Sequence, residues 1–173
     1  MTRAEWPFVV ARYKGAVGED TVRQRLARRF DSAELREIKR LWVKHSIAED
    51  RRDIAGLLAT LAEDCVYEIV PIGQLWHGRD GVRTFYTELF AAFPDNRFAL
   101  SDIVVGPQGV FEATCLTGTN LGPWAGVAPS GLPVDLQVLI LFPWDPVARR
   151  FLGERIWFDR GQILDPSAAA SRS

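Results

Sequence analysis

Two titratable residues of this sequence stand among apolar neighbours, where an inward-facing side chain could move a proton. Glu154 lies in the run LGERIWFD, residues 152–159, and strand alternation places it on the same face as Ile156. Burial of a carboxyl group among apolar residues raises its pKa, which suits a group that takes up and returns protons. The sequence therefore predicts a pocket that contains an acid, with an ion pair to Arg155 or Arg79 as the alternative for Glu154.

His45 is the second candidate because it lies on the apolar face of a predicted helix. Ile38, Leu41 and Trp42 precede it at spacings of three and four residues. The pKa of an imidazole lies near neutral pH, so His45 could donate to a developing negative charge or take a proton. The alternative is a core histidine whose hydrogen bonds are satisfied without a catalytic role.

Three aromatic or imidazole side chains could shape the same pocket. Tyr67 shares the alternation of Ile69, so both are predicted to face inward, where Tyr67 contacts ligand or packs as wall. His77 ends a short strand, either near the mouth of a cleft or as a surface histidine. Trp124 lies in the long loop 122–133, as a lid over the pocket or as an anchor of the loop.

The elements that must position these residues follow in α+β order. An amphipathic helical appendage, residues 1–30, precedes a long helix that starts at Asp31 or Ser32 and ends at the polar patch 48–53. Two more helices are predicted, 54–61 and 80–93, and between them residues 65–72 and 74–77 fit either two short strands or a strand and a bend. Four longer strands are predicted afterwards: 98–105, 110–119, 134–144 and 151–158. This order predicts a curved antiparallel sheet wrapped around the N-terminal helices, with a cleft between them, and a disordered tail, 166–173.

Composition narrows the possible partners. The 173 residues are 47% hydrophobic, which suits one domain with a substantial core. A net charge of -1 disfavours a nucleic-acid or anionic-membrane partner, and the short apolar run near residue 6 is too short for a signal peptide, so a cytoplasmic protein is expected. Cys65 and Cys115 lack metal-ligand spacing and are predicted to be reduced thiols, so no metal or cofactor is expected.

Three phrases resemble the SnoaL-like polyketide cyclase and ketosteroid isomerase superfamily over about residues 34–165. They are LATLAEDCVYEIVPIGQLWHGRDGVRTFYTELFAAFPD, TGTNLGPWAGVAPSGLPV and LGERIWFDRGQIL. The resemblance implies the cone-shaped fold of nuclear transport factor 2, in which a curved antiparallel sheet wraps around N-terminal helices. It also implies a homodimer formed through the convex face of the sheet.

The ketosteroid isomerase part of the resemblance implies that some site positions are retained and others are lost. The oxyanion tyrosine of those enzymes falls on His45, and the tyrosine that supports it falls on Tyr86. Their catalytic base falls on Ile69, and their second oxyanion acid falls on or near Ile140. Both of these positions are apolar here, so the resemblance does not imply that particular isomerisation machinery.

The cyclase part of the resemblance points again to the last strand. The acid/base aspartate of SnoaL cyclases falls on Ile156, one inward step from Glu154, so a shifted catalytic acid is possible. The histidine of the family's Gly-Thr-His-x-Gly phrase is Asn120, which retains hydrogen bonding without a titratable group.

The leading hypothesis is a cofactor-independent enzyme that acts on an apolar, carbonyl-bearing small molecule by general acid/base, enolate-type chemistry, such as a cyclase or isomerase. Glu154 would move the proton, and His45, supported by Tyr86, would stabilise the oxyanion. The expected substrate-binding residues are Tyr67, Ile69, Trp76, His77, Asn120, Trp124, Ile140, Ile156 and Phe158. Two alternatives remain: a non-catalytic small-molecule-binding or dimerisation module, and a lyase (dehydratase) or hydrolase that uses the same pocket.

Overall fold

The computed structural model describes residues 19–29 and 31–164, and the chain divides into a unit of residues 1–30 and a unit of residues 31–173. The first unit contributes one described helix, α1 (Glu19–Ala27). The second unit holds the remaining described elements. The predicted disordered tail, 166–173, lies outside the described residues.

Four helices belong to the second unit: α2 (Ser32–Asp50), α3 (Ile54–Leu58), α4 (Gly78–Ala92) and α5 (Gly161–Leu164). Asp31 caps α2, because its side chain accepts a 2.9 Å hydrogen bond from the amide of Ala33. The helix ends at Asp50 with Arg51 as its C-cap, within the polar patch 48–53 that was predicted to end it. Ala48 is buried in the core and α2 continues to Asp50, which keeps Glu49 within the helix.

One mixed sheet of six strands lies against these helices. Its strands are β1 (Leu61–Ile69), β2 (Gln74–His77), β3 (Arg97–Gly106), β4 (Gly109–Thr119), β5 (Pro133–Asp145) and β6 (Arg150–Phe158), in the spatial order β2-β1-β6-β5-β4-β3. The meander from β3 to β6 is antiparallel, as predicted. The strands β1 and β6 pair in parallel, so the prediction of a purely antiparallel sheet was wrong for this pair. A parallel pair needs a long connection, and β2, α4 and the meander supply it.

Strand alternation places one face of the sheet in the core. On β5 every second residue is buried: Val134, Leu136, Val138, Ile140, Phe142 and Trp144. Residues of α2 and α4, such as Ile38 and Phe85, belong to the same core cluster. Burial of each large apolar side chain contributes about 1.5–3 kcal/mol, so this face drives the sheet onto the helices.

Gly153 interrupts the alternation of β6 at the point that matters for Glu154. Phe151 and Glu154 are both buried, although residues three apart on a regular strand face opposite sides. Gly153 has φ of 121°, and a Cβ at this position would lie 1.9 Å from the carbonyl oxygen of Val66 on β1. Only glycine fits there, and the resulting irregularity turns Glu154 and Ile156 inward, as the sequence predicted.

None of the described helices is both long and apolar enough to cross a membrane.

Candidate active site

Glu154 is buried, 3% exposed, and its atom Oε1 is the centre of a hydrogen-bonded network. Tyr67, its direct neighbour in the β1–β6 register, donates to Oε1 at 2.7 Å. Tyr86 on α4 donates to the same oxygen at 3.1 Å, and Nε2 of His45 lies 3.0 Å from it. The contact predicted between His45 and Tyr86 is also present, at 3.0 Å.

The contacts of the other ring nitrogen of His45, Nδ1, determine which ring nitrogens carry a proton. Nδ1 lies 2.7 Å from Oγ1 of Thr60, whose own hydroxyl donates to the carbonyl oxygen of Leu57 at 2.6 Å. A hydroxyl has one proton to donate, so Thr60 must accept from Nδ1–H. Nε2 then faces Oε1 of Glu154, and this contact is attractive only with a proton between them.

That proton makes the two residues a shared acid–base pair. Tyr67, Tyr86 and His45 converge on one oxygen of Glu154 and fix the orientation of its carboxyl group. Burial, and then the charge of Glu154, raise the pKa values of Tyr67 and Tyr86 well above their usual range, so both hydroxyls stay protonated donors. The network therefore orients the carboxyl group of Glu154.

Glu154 also lines a cavity of about 30 Å³, roughly the volume of one water molecule. Its other lining residues are mostly apolar: Glu49, Phe85, Leu89, Phe98, Leu116, Trp124, Leu136, Val138, Ile140, Ile156 and Phe158. Four of the predicted substrate-binding residues are in this set: Trp124, Ile140, Ile156 and Phe158. The side of the cavity opposite the network is a wall of aliphatic and aromatic groups.

Trp124 closes the cavity from the long loop. Its ring stacks on Trp76, with centroids 6.3 Å apart, and meets Phe85 edge to face at 5.2 Å. Backbone hydrogen bonds in both directions join Trp124 to Val127 and hold the loop in a tight turn. The side chain is 6% exposed, so the loop packs its aromatic ring onto the cavity rather than into solvent.

The remaining predicted residues lie away from the cavity lining. His45, Tyr67 and Tyr86 lie behind Glu154, and both ring nitrogens of His45 contact groups of the protein itself. The contact of His45 with an oxyanion stays a prediction. Ile69 and Trp76 are buried in the core. The substrate-binding roles of Tyr67, Ile69 and Trp76 stay predictions.

His77 and Asn120 also lie outside the lining of this cavity. His77 is exposed and lines a separate open groove with Arg79 and Asp80. Asn120 is fully buried, and neither side-chain atom has a hydrogen-bond partner among the described residues. Their contact with a substrate likewise stays a prediction.

Sequence reasoning missed Glu49, which lines the cavity together with Glu154. Burial is the largest cause that raises the pKa of Glu49 well above its usual value, and repulsion from Glu154 and Glu112 follows. The nearby hydroxyl group of Tyr86 offsets part of this rise. The missed signal is its spacing: Glu49 follows His45 by four residues, one turn along the same helical face.

Glu112, on β4, is a third inward carboxyl group that the sequence did not single out. It is 7% exposed and accepts a 2.7 Å hydrogen bond from the indole nitrogen of Trp42. Burial raises its pKa to about 7, with a further contribution from the charge of Glu154 and an opposing one from the Trp42 hydrogen bond. Its position follows the alternation of Val110, Thr114 and Leu116, which are also buried.

The alternative of an arginine partner for Glu154 is not what the structure has. Arg155 bonds Glu68 at 2.8 Å and Arg79 bonds Glu63 at 2.6 Å. Cys65 and Cys115 are free thiols. Within the described ranges, no group of three or more His, Cys, Asp or Glu side chains is arranged to hold a metal ion.

The fold and this buried acid in an apolar cavity define a class, and comparison with known proteins identifies it. The profile of the SnoaL-like polyketide cyclase family matches residues 35–162, so the chain belongs to that family. This confirms the resemblance and the nuclear transport factor 2-like, ketosteroid isomerase-like fold that the sequence predicted. No curated protein matches the chain significantly.

Solved structures share the fold at low sequence identity. IdmH from Streptomyces antibioticus, provisionally assigned as a polyketide cyclase, is 22% identical with a TM-score of 0.59, over 73% of this chain and 95% of its own. AclR from Streptomyces galilaeus, provisionally assigned as a hydroxylase, is 18% identical with a TM-score of 0.61, over 75% and 94%. A Catenulispora acidiphila protein with a ketosteroid isomerase-like fold, in complex with trimethylamine, is 13% identical with a TM-score of 0.60, over 72% and 88%. At these identities the likeness extends to the fold alone.

Proposed function

We propose that this chain is an enzyme that removes a proton next to the carbonyl group of an apolar small molecule, with Glu154 as the general base. The observation that carries the proposal is the position of this carboxyl group. It is 3% exposed and lines an apolar cavity, while Tyr67, Tyr86 and His45 hold it from behind. Proton abstraction of this kind serves an isomerase or a cyclase.

The two oxygens of Glu154 have different parts in the proposed reaction. The three contacts from Tyr67, Tyr86 and His45 meet at Oε1. Oε2 makes none of these bonds and is the oxygen that would accept the substrate's proton. General-base catalysis by a positioned carboxylate contributes about 10²–10⁴-fold in rate.

His45 supports the base in this proposal rather than touching the substrate. Its Nε2 shares a proton with Glu154, and its Nδ1 is fixed by Thr60. The ring also meets Phe142 edge to face at 5.4 Å, which limits its rotation. His45 therefore holds the orientation and the charge of the carboxylate, which departs from the oxyanion role that the sequence suggested.

The cavity walls indicate what kind of substrate fits. Aliphatic and aromatic side chains make up the lining apart from Glu49 and Glu154, which favours an apolar molecule with one or two polar atoms. A volume of about 30 Å³ is far below that of a bicyclic ketone, so such a substrate requires displacement of Trp124 and its loop.

The test is α-proton exchange of simple ketones in D₂O, followed by proton NMR with cyclohexanone and 2-tetralone as probes. We expect the wild-type chain to accelerate exchange of at least one probe. Glu154→Gln should reduce it about 100-fold or more, with a melting temperature within a few degrees, because the amide still accepts from both tyrosines. Glu68→Gln, a carboxyl group one position from Tyr67 on the outward face, is the matched control and should exchange normally.

Two outcomes contradict the proposal. Full exchange in Glu154→Gln removes Glu154 as the base. Buffer-level exchange of every probe in the wild type contradicts proton abstraction altogether. If tryptophan fluorescence then reports bound probe that is recovered unchanged, a binding module is the better description. The apolar residues Ile69, Ile140 and Ile156, at positions where the family resemblance implies acids, agree with that alternative.

We also propose that the chain forms a homodimer through the outward face of the sheet. The strand registers bring apolar residues of that face side by side: Val104 pairs with Phe111, Phe111 with Leu141, and Leu139 with Trp157. Val104, Phe111 and Leu139 are 67%, 39% and 42% exposed. A contiguous apolar patch of this kind is typical of a protein–protein interface.

Sedimentation velocity at micromolar concentration tests the dimer. We expect a dimer for the wild type and a monomer for Leu139→Glu, because a carboxylate at the centre of the patch would be buried without a partner. Val147→Glu, at a 90% exposed turn, is the control and should remain dimeric. A monomeric wild-type chain would contradict this proposal and leave the proposed reaction untouched.

A further inference from the structure

We propose that Glu49 is the second catalytic residue of the cavity: in its neutral, carboxylic acid form it donates a hydrogen bond to the substrate's carbonyl oxygen while Glu154 removes the proton. This inference rests on the proposed function. It assigns the oxyanion-stabilising role that the position of His45 leaves open.

Placement is the first support. Glu49 and Glu154 are the two ionisable residues that line the cavity, one from α2 and one from β6, and the other lining residues are apolar. A small molecule in this cavity therefore meets two carboxyl groups from different elements. A carbonyl substrate needs a donor at its oxygen and an acceptor at its α-proton, and one carboxyl group cannot serve as both at once.

The charges around Glu49 favour its neutral form. The titratable groups that face it are Glu154 on β6, Glu112 on β4, Tyr86 on α4, and Asp50 beside it on α2. None of the residues that line the cavity is an arginine or a lysine. The ring nitrogen Nε2 of His45 is directed at Glu154, 3.0 Å from its Oε1.

The same surroundings separate the two carboxyl groups into a base and an acid. Glu154 is held at Oε1 by three contacts, which leave its other oxygen to accept a proton, whereas burial and neighbouring carboxyl groups raise the pKa of Glu49 and favour its neutral form. The two carboxyl groups therefore suit different roles in acid–base catalysis.

The proposed step balances without another reactant. Glu154 accepts the α-proton, the C–H electrons form a C=C bond, and the carbonyl electrons move onto oxygen, where Glu49 O–H donates to the developing charge. In an isomerisation, Glu154 returns the proton to a different carbon. In a cyclisation, the enolate carbon attacks a second carbonyl group of the same molecule, and Glu154 returns the proton to the new alkoxide oxygen.

This arrangement also predicts which substrates are rejected. A ligand with its own carboxylate would add negative charge to an apolar cavity that has no arginine or lysine in its lining and in which Glu154 acts as the base, so neutral ketones should be bound in preference to anionic ones. We expect 2-tetralone to bind at least about tenfold more tightly than a tetralone carboxylate at neutral pH, since each tenfold corresponds to about 1.4 kcal/mol.

The test compares Glu49→Leu and Glu49→Gln in the ketone exchange assay. We expect Glu49→Leu to lower kcat about 100-fold with little change in KM, because loss of one such donor typically costs about 10²–10³-fold in rate. Glu49→Gln keeps an N–H donor and should retain more activity. It should also lose the fall in rate at alkaline pH, because an amide does not ionise. Glu88→Gln, at an exposed carboxyl group on α4 outside the cavity lining, is the matched control.

Infrared difference spectra give a readout that a merely structural role would not change. The spectrum of wild type minus Glu49→Gln at neutral pH should contain the carbonyl band of a protonated carboxylic acid, and a carboxylate band in its place overturns the inference. The inference is also overturned if Glu49→Leu exchanges within about threefold of the wild-type rate while Glu154→Gln is inactive. In that case the proposed function, with Glu154 as the base, is still supported. If the wild-type chain exchanges ketone protons no faster than buffer, both the proposed function and this inference are contradicted. That outcome is seen with the wild type alone, before any variant is measured.

Discussion

Nε2 of His45 lies 3.0 Å from Oε1 of Glu154, although one residue belongs to the long N-terminal helix α2 and the other to the last strand, β6. Thr60 occupies the opposite nitrogen of the ring at 2.7 Å. These two contacts together place a proton between His45 and Glu154, and they link the orientation of the base to a hydroxyl group that does not line the cavity. Four predictions follow from this geometry and from the elements around it.

Thr60→Val should destabilise the fold by about 1–3 kcal/mol, because the buried Nδ1–H of His45 loses its acceptor. The carbonyl oxygen of Leu57 keeps its 3.0 Å hydrogen bond from the Thr60 amide, so His45 is the group that is left unpaired. Urea denaturation measures the loss, and nitrogen NMR of His45 should report a changed proton distribution. Thr60→Ser is the control, and equal stability of the valine and serine variants would contradict the assigned contact.

Gly153→Ala should destabilise the protein by about 3 kcal/mol or more, because a Cβ at Gly153 would lie 1.9 Å from the carbonyl oxygen of Val66 and β1 and β6 would have to separate. Gly131→Ala is the matched control: Gly131 also has a positive φ, 70°, but nothing lies within 4 Å of its Cβ position. That control should cost about 1 kcal/mol. Urea unfolding of both variants measures the two losses of stability. Similar losses in Gly153→Ala and Gly131→Ala would show that the close approach of β1 to Gly153 does not require glycine.

Glu112→Gln should flatten the pH dependence of stability. The folded-state pKa of Glu112 is raised to about 7 from an ordinary 4.5, so its contribution is fully present below about pH 4.5 and is lost as pH rises through 7. The loss amounts to about 3 kcal/mol at most, on the order of 1.4 kcal/mol per unit of pKa. Trp42 keeps an acceptor in the amide of the variant.

Urea denaturation at pH 5 and pH 8 measures this effect of Glu112. The wild type should lose more stability between these values than Glu112→Gln. Glu49 contributes with the same sign because its pKa is also raised, so part of the loss should persist in the single variant and disappear when Glu49→Gln is added. Glu88→Gln, at an exposed carboxyl group on α4, is the control and should behave as wild type. The same pH dependence in Glu112→Gln and in the wild type would contradict a raised pKa for Glu112.

Trp124→Ala should widen the range of ketones that the cavity admits. Removing a ring that stacks on Trp76 and meets Phe85 opens the cavity toward the loop, at a cost of about 3 kcal/mol in stability. The ratio of kcat/KM for 2-tetralone to that for cyclohexanone should rise, while Trp124→Phe should stay close to wild type. An unchanged ratio would mean that substrate enters past another part of the lining.

Much of the fold could be predicted because local patterns specify it. The four long strands were placed within one or two residues of their observed ends, since alternation and turn residues mark them along the chain. The end of α2 was also predicted, because the helix ends at Asp50 within the polar patch 48–53. The position of Glu49 in the cavity was not predicted, because it depends on how the end of α2 packs against the sheet.

The sequence by itself determined which faces point inward: His45 on the apolar side of α2, and Glu154 on the same side of β6 as Ile156, because helical and strand periodicities are local properties. Only the tertiary structure decided the chemistry of those side chains. It brought Tyr67, Tyr86 and His45 to one oxygen of Glu154, and it placed Glu49 in the same cavity. Which carboxyl group is charged depends on donors and on neighbouring charges from distant parts of the chain, and no spacing in the sequence encodes those distances.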